Sequence, residues 1–284
     1  MTFATAHLRA LRVAFAAALV CCFAPVHAGD LAFGKRTIYV PDPDGYIPLA
    51  QSMPRYMQAA QAYLPATNRL VEAYATPADA AAMEQGKPVL SRYFQVQVLR
   101  SLDGTPVSPD ELADAEGEMD RGLKQALGNV DSIGRDLASK GNSEIKRMTA
   151  VDPQISVSDT GYLGVYRKEP WGQFFTIKTR LSTGLMSKPT DLVCAGAIVL
   201  ANYQLVFLYG YSVYKNEGDR QWAEQAVSEW ADQVHGANPD DAKVAATLRR
   251  THFDFKEVLR WAVMGGIIGG LVALVGKIVR KRDA

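Results

Sequence analysis

Four glycines near the C-terminus have the type and spacing that imply a defined interaction. Gly265 and Gly269, and likewise Gly266 and Gly270, stand one helical turn apart in an uncharged run from Trp261 to Val275. Small residues at every fourth position let two helix backbones approach closely, so these glycines, with Ala262 and Ala273 extending the rows, are read as a helix–helix association face. Other candidates for chemistry have simpler explanations. His235 and His252 lie far apart in sequence with no nearby cysteine, so no zinc site is expected. Asp42-Pro43-Asp44-Gly45 resembles the start of a calcium loop but lacks the later ligands and the closing Glu, which leaves a turn. Asp240-Asp241 after Pro239 are first-turn carboxylates suited to a helix dipole. Tyr203, Tyr209, Tyr211 and Tyr214 cluster with Phe207, where cross-strand packing is a commoner cause than a ligand. The sequence has no nucleophile elbow and no glycine-rich phosphate loop. No catalytic residue, metal or cofactor is expected, and the chain is read as a non-enzyme.

The ends of the chain set where such a helix would act. Arg9 and Arg12 precede an apolar core, Val13 to Ala24, and Val26-His27-Ala28 leads into a polar region at Gly29. This is the pattern of a secretory signal over residues 1–28. At the other end, residues 261–279 form an apolar stretch roughly 28 Å long as a helix, near the ~30 Å hydrocarbon core of a bilayer. Arg260 and Lys277 are placed to snorkel, and Trp261 stands where an interfacial aromatic belongs. Lys and Arg are balanced across this segment, with 249, 250, 256 and 260 on one side and 277, 280, 281 and 282 on the other. The signal therefore decides orientation. The expectation is a single-pass inner-membrane protein with residues 29–237 as a periplasmic domain, 238–260 as a juxtamembrane helix, 261–279 as the transmembrane helix and 280–284 as a cytoplasmic tail.

Charge narrows the partners. Residues 29–256 hold 24 Lys and Arg against 28 Asp and Glu, interspersed rather than blocked. A mildly acidic domain without basic clusters is unsuited to phosphate backbones, so nucleic acid is excluded. Of three cysteines, Cys21 and Cys22 lie in the signal, leaving Cys194 as a small core thiol.

The domain reads as α+β, an antiparallel sheet flanked by helices. Strands are expected at 35–40, 69–74, 91–99, 155–158, 162–168, 173–181, 192–200 and 205–214. The last five form a meander with turns at Pro170-Trp171-Gly172 and Asn202. The run at 192–200 is apolar on both faces and so belongs in the sheet's centre. Helices are expected at 53–63, from Thr76-Pro77 to near Gly86, from the capping box Ser108-Pro109-Asp110-Glu111 to Leu137, and from Asn216 through Trp230 to Val234. Asn238-Pro239 opens a further helix running toward the membrane.

This order, from the strand ending in Val40-Pro41-Asp42-Pro43-Asp44-Gly45-Tyr46 through the meander to Gly218-Asp219-Arg220-Gln221-Trp222 and its helix, resembles the PsbP-like α/β/α sandwich over about residues 35–236. PsbP-like domains serve as accessory and assembly proteins in exported compartments. The resemblance implies binding or assembly and transfers no functional residue. Two functions follow as expectations. The first is a membrane-anchored scaffold acting through an envelope protein partner or through self-association of its transmembrane helix. The second is a periplasmic small-ligand-binding sensor coupled to a membrane partner.

Overall fold

Along β5 (Arg92–Leu99), Tyr93, Gln95 and Gln97 alternate with Phe94, Val96 and Val98, and both sets are buried. The reason is a sheet covered on both sides. The structure, a computed structural model, describes residues 29–85, 91–114, 130–184, 188–248 and 255–269. Its main sheet has seven antiparallel strands in the order β3-β4-β5-β9-β8-β7-β6. Besides β5 these are β3 (Ile47–Pro48), β4 (Asn68–Ala75), β6 (Ser156–Glu169), β7 (Gly172–Ser182), β8 (Thr190–Ala201) and β9 (Gln204–Val213). A separate hairpin pairs β1 (Asp30–Phe33) with β2 (Arg36–Tyr39).

The four strands β6 to β9 form the expected meander. β8, apolar on both faces, sits between β7 and β9 with every residue from Leu192 to Ala201 buried. The β8–β9 turn places Asn202 and Tyr203 at φ 44° and 62°, the left-handed pair that a tight two-residue hairpin requires. Strands expected separately at 155–158 and 162–168 are one strand, β6, whose register slips against β7 near Ser158 and Gly161. The first expected strand has a partner, β1, because Gly34 at φ 56° reverses the chain between them.

Helices cover both faces. On the outer face, α4 (Glu217–Ala237) is opened by a capping box between Asn216 and Asp219 and buries Ala223, Val227, Trp230, Ala231 and Val234. It packs there with β8, β9 and Phe33, Ile38 and Val40 from the β1–β2 hairpin region. On the inner face lie α1 (Pro54–Tyr63), α3 (Val130–Thr149) and α6 (Phe255–Gly269). The short α2 (Pro77–Glu84) is capped by Thr76, whose hydroxyl accepts from the Asp79 N–H at 3.1 Å. This is an α+β fold with an antiparallel sheet between two helical layers.

Two helical expectations are corrected. The capping box at Ser108 and Glu111 is present, with bonds of 3.0 and 3.2 Å, and starts a helical stretch at 109–114. Residues 115–129 lie outside the described residues, but α3 continues to Thr149, beyond the expected end at Leu137. Its second half is held by packing: Ile145 is fully buried, and α3 crosses α1 where Gly141 meets the Tyr63 ring. The juxtamembrane helix is also interrupted. Asn238 ends α4 instead of opening a new helix, and its amide clamps Tyr39, accepting from the N–H at 2.9 Å and donating to the carbonyl at 2.7 Å. The next helix, α5 (Ala242–Ala245), is a single turn capped by Asp241.

Two glycines of α3 carry opposite predictions. A Cβ on Gly134 would sit 3.4 Å from Val157, in ordinary contact, whereas one on Gly141 would fall 2.2 Å from Tyr63 Cδ1. Gly134→Ala is expected to stabilise by about 0.5–1 kcal/mol through helix propensity. Gly141→Ala is expected to destabilise by about 1–3 kcal/mol through overpacking. Urea midpoints of the two variants check this, and equal signs would show that α3 does not cross α1 at Gly141.

Candidate functional site

The inner face of the sheet carries an uncharged polar strip. Asn68 from β4, Gln95 and Gln97 from β5, and the tyrosines Tyr93, Tyr209 and Tyr211 from β5 and β9 are all buried on this side. Register brings them together: Gln95 pairs with Tyr209, Tyr93 with Tyr211, and Tyr211 in turn with Cys194 of β8. The Tyr93 and Tyr211 rings stack at 4.5 Å. Buried amides and phenols need partners, and α6 supplies them to Asn68, Gln95, Gln97, Tyr93 and Tyr209, while the buried Tyr211 hydroxyl has none.

Sheet side chains donate to the backbone carbonyls of α6. Asn68 Nδ2 donates to Trp261 O at 3.0 Å, Gln97 Nε2 to Gly265 O at 3.2 Å, and Gln95 Nε2 to Gly269 O at 3.1 Å. Tyr93 adds a hydroxyl bond to Gly269 O at 3.2 Å, and Tyr209 one to Ala262 O at 2.6 Å. Residues 261, 265 and 269 lie four apart, so their carbonyls form one row along the helix. A carbonyl inside a helix has a second lone pair free for such a bond. The strip itself is cross-linked, Asn68 donating to Gln97 Oε1 at 3.2 Å and Gln97 to Gln95 Oε1 at 2.9 Å.

The glycines are what allow this approach. A Cβ on Gly265 would lie 2.4 Å from Gln97 Oε1 and 2.5 Å from Asn68 Nδ2. On Gly266 it would meet Tyr209 at 3.0 Å, and on Gly269 the Tyr211 hydroxyl at 2.0 Å. Gly270 lies outside the described residues. Gly265, Gly266 and Gly269 therefore face the domain's own sheet, and seating on the sheet excludes simultaneous use of that face to pair with another helix. No helix among the described residues is long and apolar enough to cross a membrane.

Sequence reasoning missed the strip because a polar strand face is ordinarily a solvent face. One signal was available: Tyr93, Gln95 and Gln97 carry no charge, whereas solvent faces are rich in Lys and Glu. Burial pushes the Tyr93, Tyr209 and Tyr211 phenols and the Cys194 thiol far above their ordinary ranges, so all four stay neutral.

The remaining candidates serve the fold. His235 stacks on Trp171 with ring centres 4.4 Å apart, and its Nδ1 lies 3.0 Å from Leu200 O; His252 is outside the described residues. Asp42 to Gly45 form the expected turn, closed by the Tyr46 N–H bonding Pro43 O at 2.9 Å. Among the described residues no three His, Cys, Asp or Glu are grouped to hold a metal. An open depression of ≈ 340 Å³ along α3 is lined by Arg135, Ser139, Asn142, Ser143, Lys146 and Gln154. Two of the side chains lining it are engaged in the fold: Asn142 bonds both backbone groups of Ile155, and Lys146 pairs with Asp152 at 3.2 Å.

The buried carboxylate of Glu72 is also structural. Its Oε1 accepts the N–H groups of Leu49, Ala50 and Ala73 at 3.1, 2.7 and 2.9 Å. Burial raises its pKa against those bonds, and Asp42, itself raised by burial, adds to the rise. A carboxyl with a raised folded-state pKa contributes stability that is complete below the unfolded value and lost as pH rises through the folded one. Glu72→Gln is therefore expected to gain progressively on the wild type as pH is raised from the ordinary carboxylate range to neutrality. Urea midpoints at both ends of that range check it; a difference independent of pH would mean that Glu72 does not titrate with folding.

No family model matches the chain, and no curated protein matches it. Among solved structures, the extracellular domain of PknH from Mycobacterium tuberculosis is similar over 69% of this chain and 80% of its own, at 12% identity and a TM-score of 0.25, values from which nothing is transferred.

Proposed function

We infer that the chain is an exported, membrane-associated binding or scaffold protein that acts through contacts with other envelope proteins and not through catalysis. The observation that carries this reading is the polar strip: the most elaborate interior feature of the domain is a surface of neutral donors that holds a helix by its carbonyls. Such a surface recognises and positions; it holds no activated nucleophile or base. The signal-like N-terminus, the apolar basic-ended C-terminus and the sandwich order that resembles PsbP-like domains support an envelope location with the domain outside the inner membrane. Crosslinking the full chain in its native membranes, followed by purification, tests the reading. Recovery of particular envelope proteins in constant ratio is expected. Recovery of the chain alone would favour a small-ligand sensor, for which the domain would then be screened.

A further inference from the structure

Resting on the membrane association inferred above, we propose that the segment beginning at Trp261 has two mutually exclusive seats, the sheet groove and an anionic lipid bilayer, and that the bilayer draws α6 out and uncovers the polar strip. Geometry makes the seats exclusive. With 261–269 docked, the stretch left before Arg280 is 270–279, broken by Lys277, which as a helix would reach about 15 Å, half of what the hydrocarbon core requires. Spanning needs 261–279 in full, and so needs the very residues that the sheet holds.

The two seats offer α6 much the same reward. Val258, Ala262, Val263, Met264 and Ile267 are buried in the domain, and lipid would equally keep those from 261 onward from water. The difference lies in what else changes. Leaving the groove gives up the side-chain bonds to carbonyls 261, 262, 265 and 269. Entering the bilayer buries Leu271, Val272, Ala273, Leu274, Val275, Ile278 and Val279 as well, and brings Lys277, Arg280, Lys281 and Arg282 to acidic headgroups. Opening uncovers the apolar residues of α1, α3 and the sheet that share a core cluster with α6, but it breaks no strand pairing. Among the described residues, α6 is tied to the sheet by side-chain bonds and packing and by no strand ladder. The strip it leaves is neutral, so water can satisfy it without exposing an unpaired buried charge.

A thiol of the chain reports the state of the groove. Cys194 is buried beneath α6, where a Cβ on Gly266 would lie 3.4 Å from its sulfur. In the full chain carrying Cys21→Ala and Cys22→Ala, it is the only cysteine. Maleimide labelling is followed with and without vesicles of phosphatidylcholine and phosphatidylglycerol, alongside flotation and hydrogen exchange. The expected result is flotation with the vesicles, at least about a tenfold faster labelling of Cys194, and retained exchange protection in β8 and β9. Flotation with Cys194 still protected overturns the two-seat proposal while leaving membrane association standing. No flotation overturns both. Faster labelling with loss of β8 and β9 protection is unfolding, and also overturns the proposal.

Discussion

Gly265→Ala is expected to lower the unfolding free energy by about 2–4 kcal/mol, although alanine is the better helix former. The added Cβ would stand 2.4 Å from Gln97 Oε1 and 2.5 Å from Asn68 Nδ2. Both atoms end flexible side chains, but neither is free to swing. Asn68 Nδ2 already bonds Trp261 O and Gln97 Oε1, and Gln97 Nε2 bonds Gly265 O and Gln95 Oε1. Moving either one strands a buried donor or acceptor, each costing about 1–3 kcal/mol. The alternative is for α6 to lift, which forfeits its bonds and packing together. Urea denaturation measures the loss, and Cys194 labelling in lipid-free buffer should rise with it because the lifted helix no longer covers the thiol. A helix-pairing role for Gly265 makes a different forecast: lower self-association with the domain's stability unchanged. A loss below about 0.5 kcal/mol, the ordinary scatter of surface substitutions, would mean that α6 is not seated on the strip.

The ambiguity that Gly265 resolves is one that local sequence cannot. An uncharged glycine-rich run has the same pattern whether its apolar face meets lipid or a protein core, since both remove it from water. What separates the cases is the opposing surface, and Gln97 lies 168 residues away from Gly265. Features whose cause is local were legible. The capping box at Ser108, the helix start at Asn216, the Thr76 cap, the tight turn at Asn202 and the central position of the doubly apolar β8 all appear as expected. Features set by tertiary contact were not. Asn238 has the residue type of a helix start, but its amide is engaged by Tyr39, 199 residues earlier. α3 outruns its apolar periodicity because Tyr63 and Ile155 hold its second half through Gly141 and Asn142. The inner side of β5 is masked by its own polarity, which is the property that lets it hold a helix backbone.

Trp230→Ala, on the opposite face, is expected to cost about 3–5 kcal/mol, the range for a large aromatic removed from a core. Trp230 is 2% exposed and joins three elements: its ring meets Tyr74 of β4 at 5.6 Å and Phe94 of β5 at 5.3 Å, both edge-on. Its Nε1 donates to Pro41 O at 2.7 Å, fixing the segment after β2 against α4. Trp230→Phe separates the contributions. It keeps most of the ring's volume but leaves the Pro41 carbonyl without its donor, so it is expected to cost about 1–3 kcal/mol. Urea midpoints rank the two variants, and equal losses would assign the whole effect to the hydrogen bond. The sheet lies between Trp230 and Gly265, and they share no partner, so their costs should add. Their native-state signatures should nevertheless differ. Damage at Trp230 weakens the outer layer and leaves α6 over Cys194, whereas damage at Gly265 exposes that thiol while the domain is still folded. Cys194 labelling that rises equally for both variants under native conditions would mean that the two layers open as one unit, and that α6 has no independent motion for a membrane to exploit.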